Sequence, residues 1–90
     1  MLTLPAQLTL RDARVTLAAL MPAIASAPAG VIALDASALT HIDSSALAVL
    51  LACRREAEAR HSTFEVHHAP ARLVELSRLY GVQDLLALQP

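Results

Sequence analysis

Residues 40–57 read THIDSSALAVLLACRREA. Asp43 and two serines stand directly before seven consecutive apolar residues, Ala46 to Ala52, and only then does the text become that of an ordinary surface helix. At about 100° per residue the pattern predicts a helix from about Ser45 to Arg60. One stripe of it holds Ala46, Val49, Leu50, Cys53 and Ala57, the face expected on a sheet. Roughly opposite run Ser44, Ala48, Leu51 and Arg55, with Leu47 widening the patch. An isolated soluble helix carries polar residues there, and Ala48 and Leu51 break that rule. Either another segment of the chain covers them or a second protein does. A single small domain has few elements to spare for a second covering layer. A small apolar patch rimmed by charge is a usual mark of a protein partner.

Asp43, Ser44 and Ser45 are the residue types that cap helices, where a side-chain oxygen accepts a free N–H and a carboxylate suits the dipole. Capping explains one of them and leaves a hydroxyl, Ser44, at the head of the outward stripe. A phosphoryl group at Ser44 would meet free N–H groups at the helix start, beside Asp43 and next to an apolar patch. It would be compatible with the fold and disruptive to docking, which is the physics of a switch.

Outward from this helix, the chain alternates strands and helices. Val31 to Leu34 is a short unalternating apolar run with two β-branched residues, as in a strand buried on both faces. Asp35 to Asp43 reads as a loop, and Thr63 to Val66 as the next strand. Before them, Leu2 to Leu4 is a short strand closed by Pro5. Leu10, Ala13, Leu17, Leu20, Met21 and Ile24 recur at helical spacing, with Arg11, Asp12 and Thr16 off that face. Thr9 or a neighbour caps this helix, and Pro22 kinks it or ends it early. After them, Pro70 suits the first turn of a third helix carrying Leu73, Leu76, Leu79 and Tyr80. Gly81 is placed to end that helix in left-handed conformation with Val82 beyond it. Gln83 to Pro90 reads as a last short helical turn or strand. The order βαβαβα implies a single α/β domain over residues 1–90 with a mostly parallel sheet and right-handed crossovers. Ligand and partner sites in such sheets lie where strand ends meet helix starts, as the Asp35 to Ser45 loop does.

Composition narrows the function. The chain is 56% apolar with only Phe64 and Tyr80 as aromatics, so the core is built from aliphatic residues. A formal net charge of -1 argues against nucleic acid, whose phosphates require a positive field. Cys53 is the only cysteine, which excludes an internal disulfide and a multi-cysteine metal site and suits a reducing compartment. No signal peptide is visible at the start, and the longest apolar run is about a third of a membrane span. The expected location is cytoplasmic, with any membrane link made through a partner.

LDASALTHIDSSALAVLL, residues 34–51, resembles the signature of STAS domains: a strand ending in Asp, a short loop, then Asp-Ser/Thr-Ser/Gly-Gly-Leu opening a helix. The similarity covers roughly residues 30–88, and it implies a small sheet with helices. In one group of the family, the anti-sigma-factor antagonists, a partner serine kinase phosphorylates the hydroxyl directly after the Asp, which here is Ser44. In another group that residue is usually Thr. This group is the small cytosolic subunit of the maintenance-of-lipid-asymmetry (Mla) phospholipid transporter, which docks onto the ATPase of an inner-membrane ABC complex. LVELSRLYGVQDLL, residues 73–86, resembles that subunit's third helix and its Leu-Tyr ending. Ala46 stands where most members have Gly. A first strand common in the family is missing, with LTLPAQL in the place of the second, which leaves an exposed sheet edge.

An enzyme using Ser44 or Ser45 with His41, His61, His67 or His68 lacks the Gly-x-Ser-x-Gly turn and glycine-rich oxyanion loop, and the chain has only two glycines. His67 and His68 lie adjacent at a strand end, where side chains point opposite ways, so they read as surface residues and not as a metal site. Phosphate-loop glycines are lacking too. Arg54 and Arg55 with Glu56 and Glu58 form a solvated face, Arg55 being placed to meet an acid on a partner. Tyr80 reads as core or rim packing. The expectation is a non-enzymatic module without metal or cofactor. Its candidate docking residues are Asp43, Ser44, Ser45, Leu47, Ala48, Leu51 and Arg55, supported by Asp35 in the loop. Its expected partner is an ABC transporter ATPase and, through it, the membrane permease. The alternative partner is a serine-kinase anti-sigma factor. Direct insertion in a membrane is not expected.

Overall fold

The structure, a computed structural model, describes residues 1–89. Its elements are β1 (Leu2–Thr3), β2 (Gln7–Leu8), α1 (Leu10–Ser26), β3 (Val31–Asp35), β4 (His41–Ile42), α2 (Ser45–Ala59), β5 (Thr63–His67), α3 (Ala71–Leu79) and α4 (Gln83–Leu86). β1, β3 and β5 form a parallel sheet in that order, with Val31 opposite Thr63 and Leu2 opposite Leu34. The central strand β3 is the expected apolar run. The expected edge is present too. β1 pairs only with Leu34 and Asp35, which leaves Val31 more than half exposed at the open end. Past β5, the chain beyond α4 returns, and Leu88 bridges Val66 in parallel. The tail is thus both the short helix and the strand-like segment that were read as alternatives. Its last residue, Pro90, lies outside the described residues.

The Asp35 to Asp43 segment is not wholly a loop. His41–Ile42 pairs in parallel with Gln7–Leu8, and Thr40 and His41 both donate backbone N–H groups to the Ala6 carbonyl. Each of these two-residue strands runs straight into a helix, β2 into α1 and β4 into α2. The two helices therefore begin side by side. The Asp43 carboxylate joins them: Oδ1 accepts the N–H of Ser45 at 2.8 Å, and Oδ2 accepts the N–H of Leu10, across the gap, at 3.0 Å. Each bond satisfies one of the donors that a helix start leaves without an intrahelical partner. α1 has its own cap as well, since Asp12 Oδ2 accepts from both the N–H and the hydroxyl of Thr9. Pro22 does not end α1, which continues to Ser26.

α1 and α2 pack on one another and, with α2 over β5, close the core around Leu8, Ile24, Leu34, Val49, Leu50 and Val66. Three expectations fail in the packing. Thr16, placed off the apolar face of α1, is buried, whereas Leu10 is 77% exposed; the true core line of α1 runs Thr16, Leu20, Ile24. Leu79 and Tyr80, expected to pack, are exposed, because Leu79 lies off the Leu73–Leu76–Ser77 line and Tyr80 stands past the last turn. Ser77 takes the buried place, its hydroxyl bonded to the Val74 carbonyl at 2.7 Å. Gly81 does end α3 as expected, with φ +71 and the Val82 N–H bonded back to the Ser77 carbonyl.

The third failure concerns Leu47, which is only 4% exposed. It lies on the flank of α2 that also carries Arg54 and Glu58, and those two line a cleft with Asp84, Leu85 and Ala87 of the C-terminal segment. That segment packs on α2. Leu47 belongs to the core and not to any docking face.

Truncating Leu47 to Ala should destabilise the domain by about 2–4 kcal/mol in urea unfolding, as for other buried leucines, while Ala48→Ser should stay within about 0.5 kcal/mol. The Leu10 N–H, joined by that of Ser45, holds the Asp43 carboxyl below the usual carboxylate range. A lowered folded-state pKa contributes stability above the unfolded value, and this is lost as pH falls through the folded one. Asp43→Asn should therefore lower Tm at pH 7, and its deficit against wild type should shrink as pH drops below about 4.

Candidate functional site

The expected docking residues separate into three sets. Asp43 is half-buried and spent on capping, as described. Ser45 is half-buried, and its N–H is Asp43's near donor. Ser44, Ala48 and Arg55 are exposed, and Leu51 is half-buried against the core edge. Leu47 has left the set. What remains outward is a row along α2: a hydroxyl, a methyl, an isobutyl flank and a guanidinium.

Ser44 stands at the N-cap position but does no capping. Its backbone is helical, at φ -62 and ψ -18, and its side chain makes no cap hydrogen bond. The carboxylate one residue earlier has taken that work, which leaves the Ser44 hydroxyl without a cap bond. Arg55 is likewise uncommitted. Its neighbours pair along the helix, Arg54 with Glu58 at 2.9 Å and Arg60 with Glu56 at 2.7 Å, and Arg55 has no carboxylate partner among the described residues. Exposed i,i+4 pairs of that kind contribute little to stability. Their effect here is to leave Arg55 as the free charge beside the row.

Asp35 closes β3 and turns the chain toward the site. Its Oδ1 accepts the N–H of Ser37 at 3.0 Å, and this bond holds its carboxyl below the usual range, with lesser help from His68 and His67. Its carbonyl accepts the Leu4 N–H, so the residue ties the loop to β1. Asp35 thus holds the start of the loop and does not join the outward row on α2. Cys53 is fully buried on the sheet side of α2, and burial pushes its thiol up to about 11, so it is no nucleophile. His67 meets Glu65 at 2.9 Å, and the other three histidines are exposed. No group of three metal-ligating side chains comes together among the described residues, and no helix there is long and apolar enough to cross a membrane.

One residue at this site escaped the sequence reading. Leu10 was assigned to the apolar face of α1, yet it is exposed, and its backbone touches Asp43 next to Ser44. Only the β2–β4 pairing brings it there, and two-residue strands leave no periodic signal in a sequence.

The profile of the family described as "Mlab, STAS domain" matches residues 1–88. No curated protein matches the chain. Three solved chains do. One is an anti-sigma-factor antagonist (STAS) domain protein from Planctomyces limnophilus, with a TM-score of 0.82 and 13% identity over 97% of this chain and 78% of that one. At that identity the likeness speaks for the fold. The profile spans nearly the whole sequence, and the chain belongs to the STAS domain family, a regulatory and protein-interaction fold.

Proposed function

We propose that this STAS domain is a non-enzymatic adaptor that docks onto the cytosolic ATPase of an inner-membrane ABC transporter for phospholipids. It would thereby sit at the membrane from the cytoplasmic side, through its partner and the permease. The observation that carries this reading is the outward row Ser44, Ala48, Leu51 and Arg55 at the head of α2. Of its apolar members Ala48 is exposed and Leu51 half-buried, whereas Leu47 on the next flank is buried. The Mla-type description of the matching family and the likeness of residues 73–86 to the third helix of the transporter's small subunit support the choice of partner.

A second reading draws on the Ser44 hydroxyl. It is exposed, makes no cap bond and stands at a helix start, the placement of a phosphate acceptor. Under that reading the chain is an anti-sigma-factor antagonist modified there by a partner kinase.

Co-purification with the ATPase encoded in the same genome separates the two. Wild type should recover the ATPase, and both Leu51→Asp and the fully surface change Ala48→Asp should lose it while keeping their circular-dichroism spectra. Failure of wild type to recover it, or unchanged recovery by both folded variants, would overturn the adaptor reading. A stoichiometric phosphate on Ser44 by intact mass, gained in some growth state of the host, would establish the antagonist instead.

A further inference from the structure

The docking face does not stop at α2. On α1, the flank holding Val15, Thr16, Ala19 and Leu20 lines a groove with Thr3, Leu4 and Pro5. The other flank carries Leu10, Leu17 and Met21, with Arg14 on its outer border. The two helices start together at Asp43. One turn along each from Leu10 and Ser44 come Arg14 and Ala48, both exposed. The outer surface at the two helix heads thus includes Leu10, Ala48 and the half-buried Leu51, with Arg14 one turn along α1 and Arg55 further along α2.

Two arginines on this surface are left unpaired for a reason visible in the bonding. The nearby acids, Asp12 and Asp43, are spent on the Thr9, Leu10 and Ser45 donors. The acids further along α2, Glu56 and Glu58, are taken by Arg60 and Arg54. Arg14 and Arg55 have no carboxylate partner among the described residues. Resting on the docking reading above, we infer that the partner presents a protein surface with an apolar centre and carboxylates set to meet Arg14 and Arg55. Complementary rim charge of this kind steers association and fixes register. An anionic membrane is the poorer occupant. Lipid attraction takes clusters of about four to eight cations, and the cations here are fewer and interleaved with acids.

The test starts from the full chain with the photo-crosslinking residue p-benzoylphenylalanine at Ala48, made in host cells. A second preparation carries it at Glu75, exposed on α3. Mass spectrometry reads the partner peptide, and affinity is then measured with that purified partner. The expected peptide contains Asp or Glu and is absent from the Glu75 preparation. Arg14→Glu with Arg55→Glu should weaken binding on the order of tenfold or more, Lys at both positions should stay within a few-fold, and raising NaCl from roughly 50 to 500 mM should weaken it several-fold. A partner peptide without carboxylates, no crosslink at Ala48, or binding indifferent to the double reversal overturns the inference. So does co-sedimentation of the free domain with phosphatidylglycerol vesicles that is lost in the double reversal. A partner other than an ABC ATPase showing the expected charge response overturns the transporter reading and leaves this one standing. An ATPase that binds regardless of both arginines does the reverse.

Discussion

One carboxylate organises the end of the molecule where function is expected. Asp43 accepts an N–H from the first turn of α2 and another from the first residue of α1, 33 positions earlier. Helix starts carry unsatisfied donors and partial positive charge, and two of them side by side repel. A carboxylate between them removes one donor from each and places a negative charge where both dipoles favour it. The β2–β4 pairing brings the two starts together, and Asp43 makes that arrangement tolerable. The same geometry sets the exposed Leu10 beside Ser44 and assembles a surface from two segments distant in the chain.

This constraint also shapes the electrostatics around the site. With Asp43 and Asp12 both committed to backbone donors, their carboxyls are held below the usual range, by Leu10 and by Thr9 respectively, and stay ionised. They neutralise helix ends, so neither is available to pair with the arginines of the outer face. Freeing Ser44 from capping follows from the same substitution of roles. The DSS triplet reads as three candidate caps, and the structure uses one for the work of two helices and leaves one hydroxyl unemployed.

Much of the architecture was legible because its signals are local. The apolar run of β3, the four-residue spacing on α2, the proline that opens α3 and the glycine that closes it each depend on a few neighbouring residues. The missed features depend on residues far apart. Leu47 reads as outward on a wheel and is buried in the core cluster once the other elements pack around α2. Leu10 reads as core and is exposed because the α1 core line is rotated toward Thr16. Ser77 is the local exception: its hydroxyl reaches the Val74 carbonyl within its own helix, which satisfies a polar group that composition alone would send outward. Of the proposed docking surface, the α2 residues were candidates from the sequence, whereas Leu10 and Arg14 of α1 were not.

The small size of Ser44 and Ala48 bears on how such a face can exist on a free domain. Hydrophobic stabilisation scales with area at about 25 cal/mol per Å², so an exposed methyl costs far less than an exposed isobutyl group. Leu51 keeps most of its bulk against the core edge, and Leu47 has withdrawn altogether. Leu10, 77% exposed, is the large apolar group left open on this surface, and the low relief at Ala48 lets a partner backbone approach α2 closely. Specificity then has to come from elsewhere than apolar area. The features left for it are the hydroxyl at the head of the row and the two unpaired guanidinium groups at its sides.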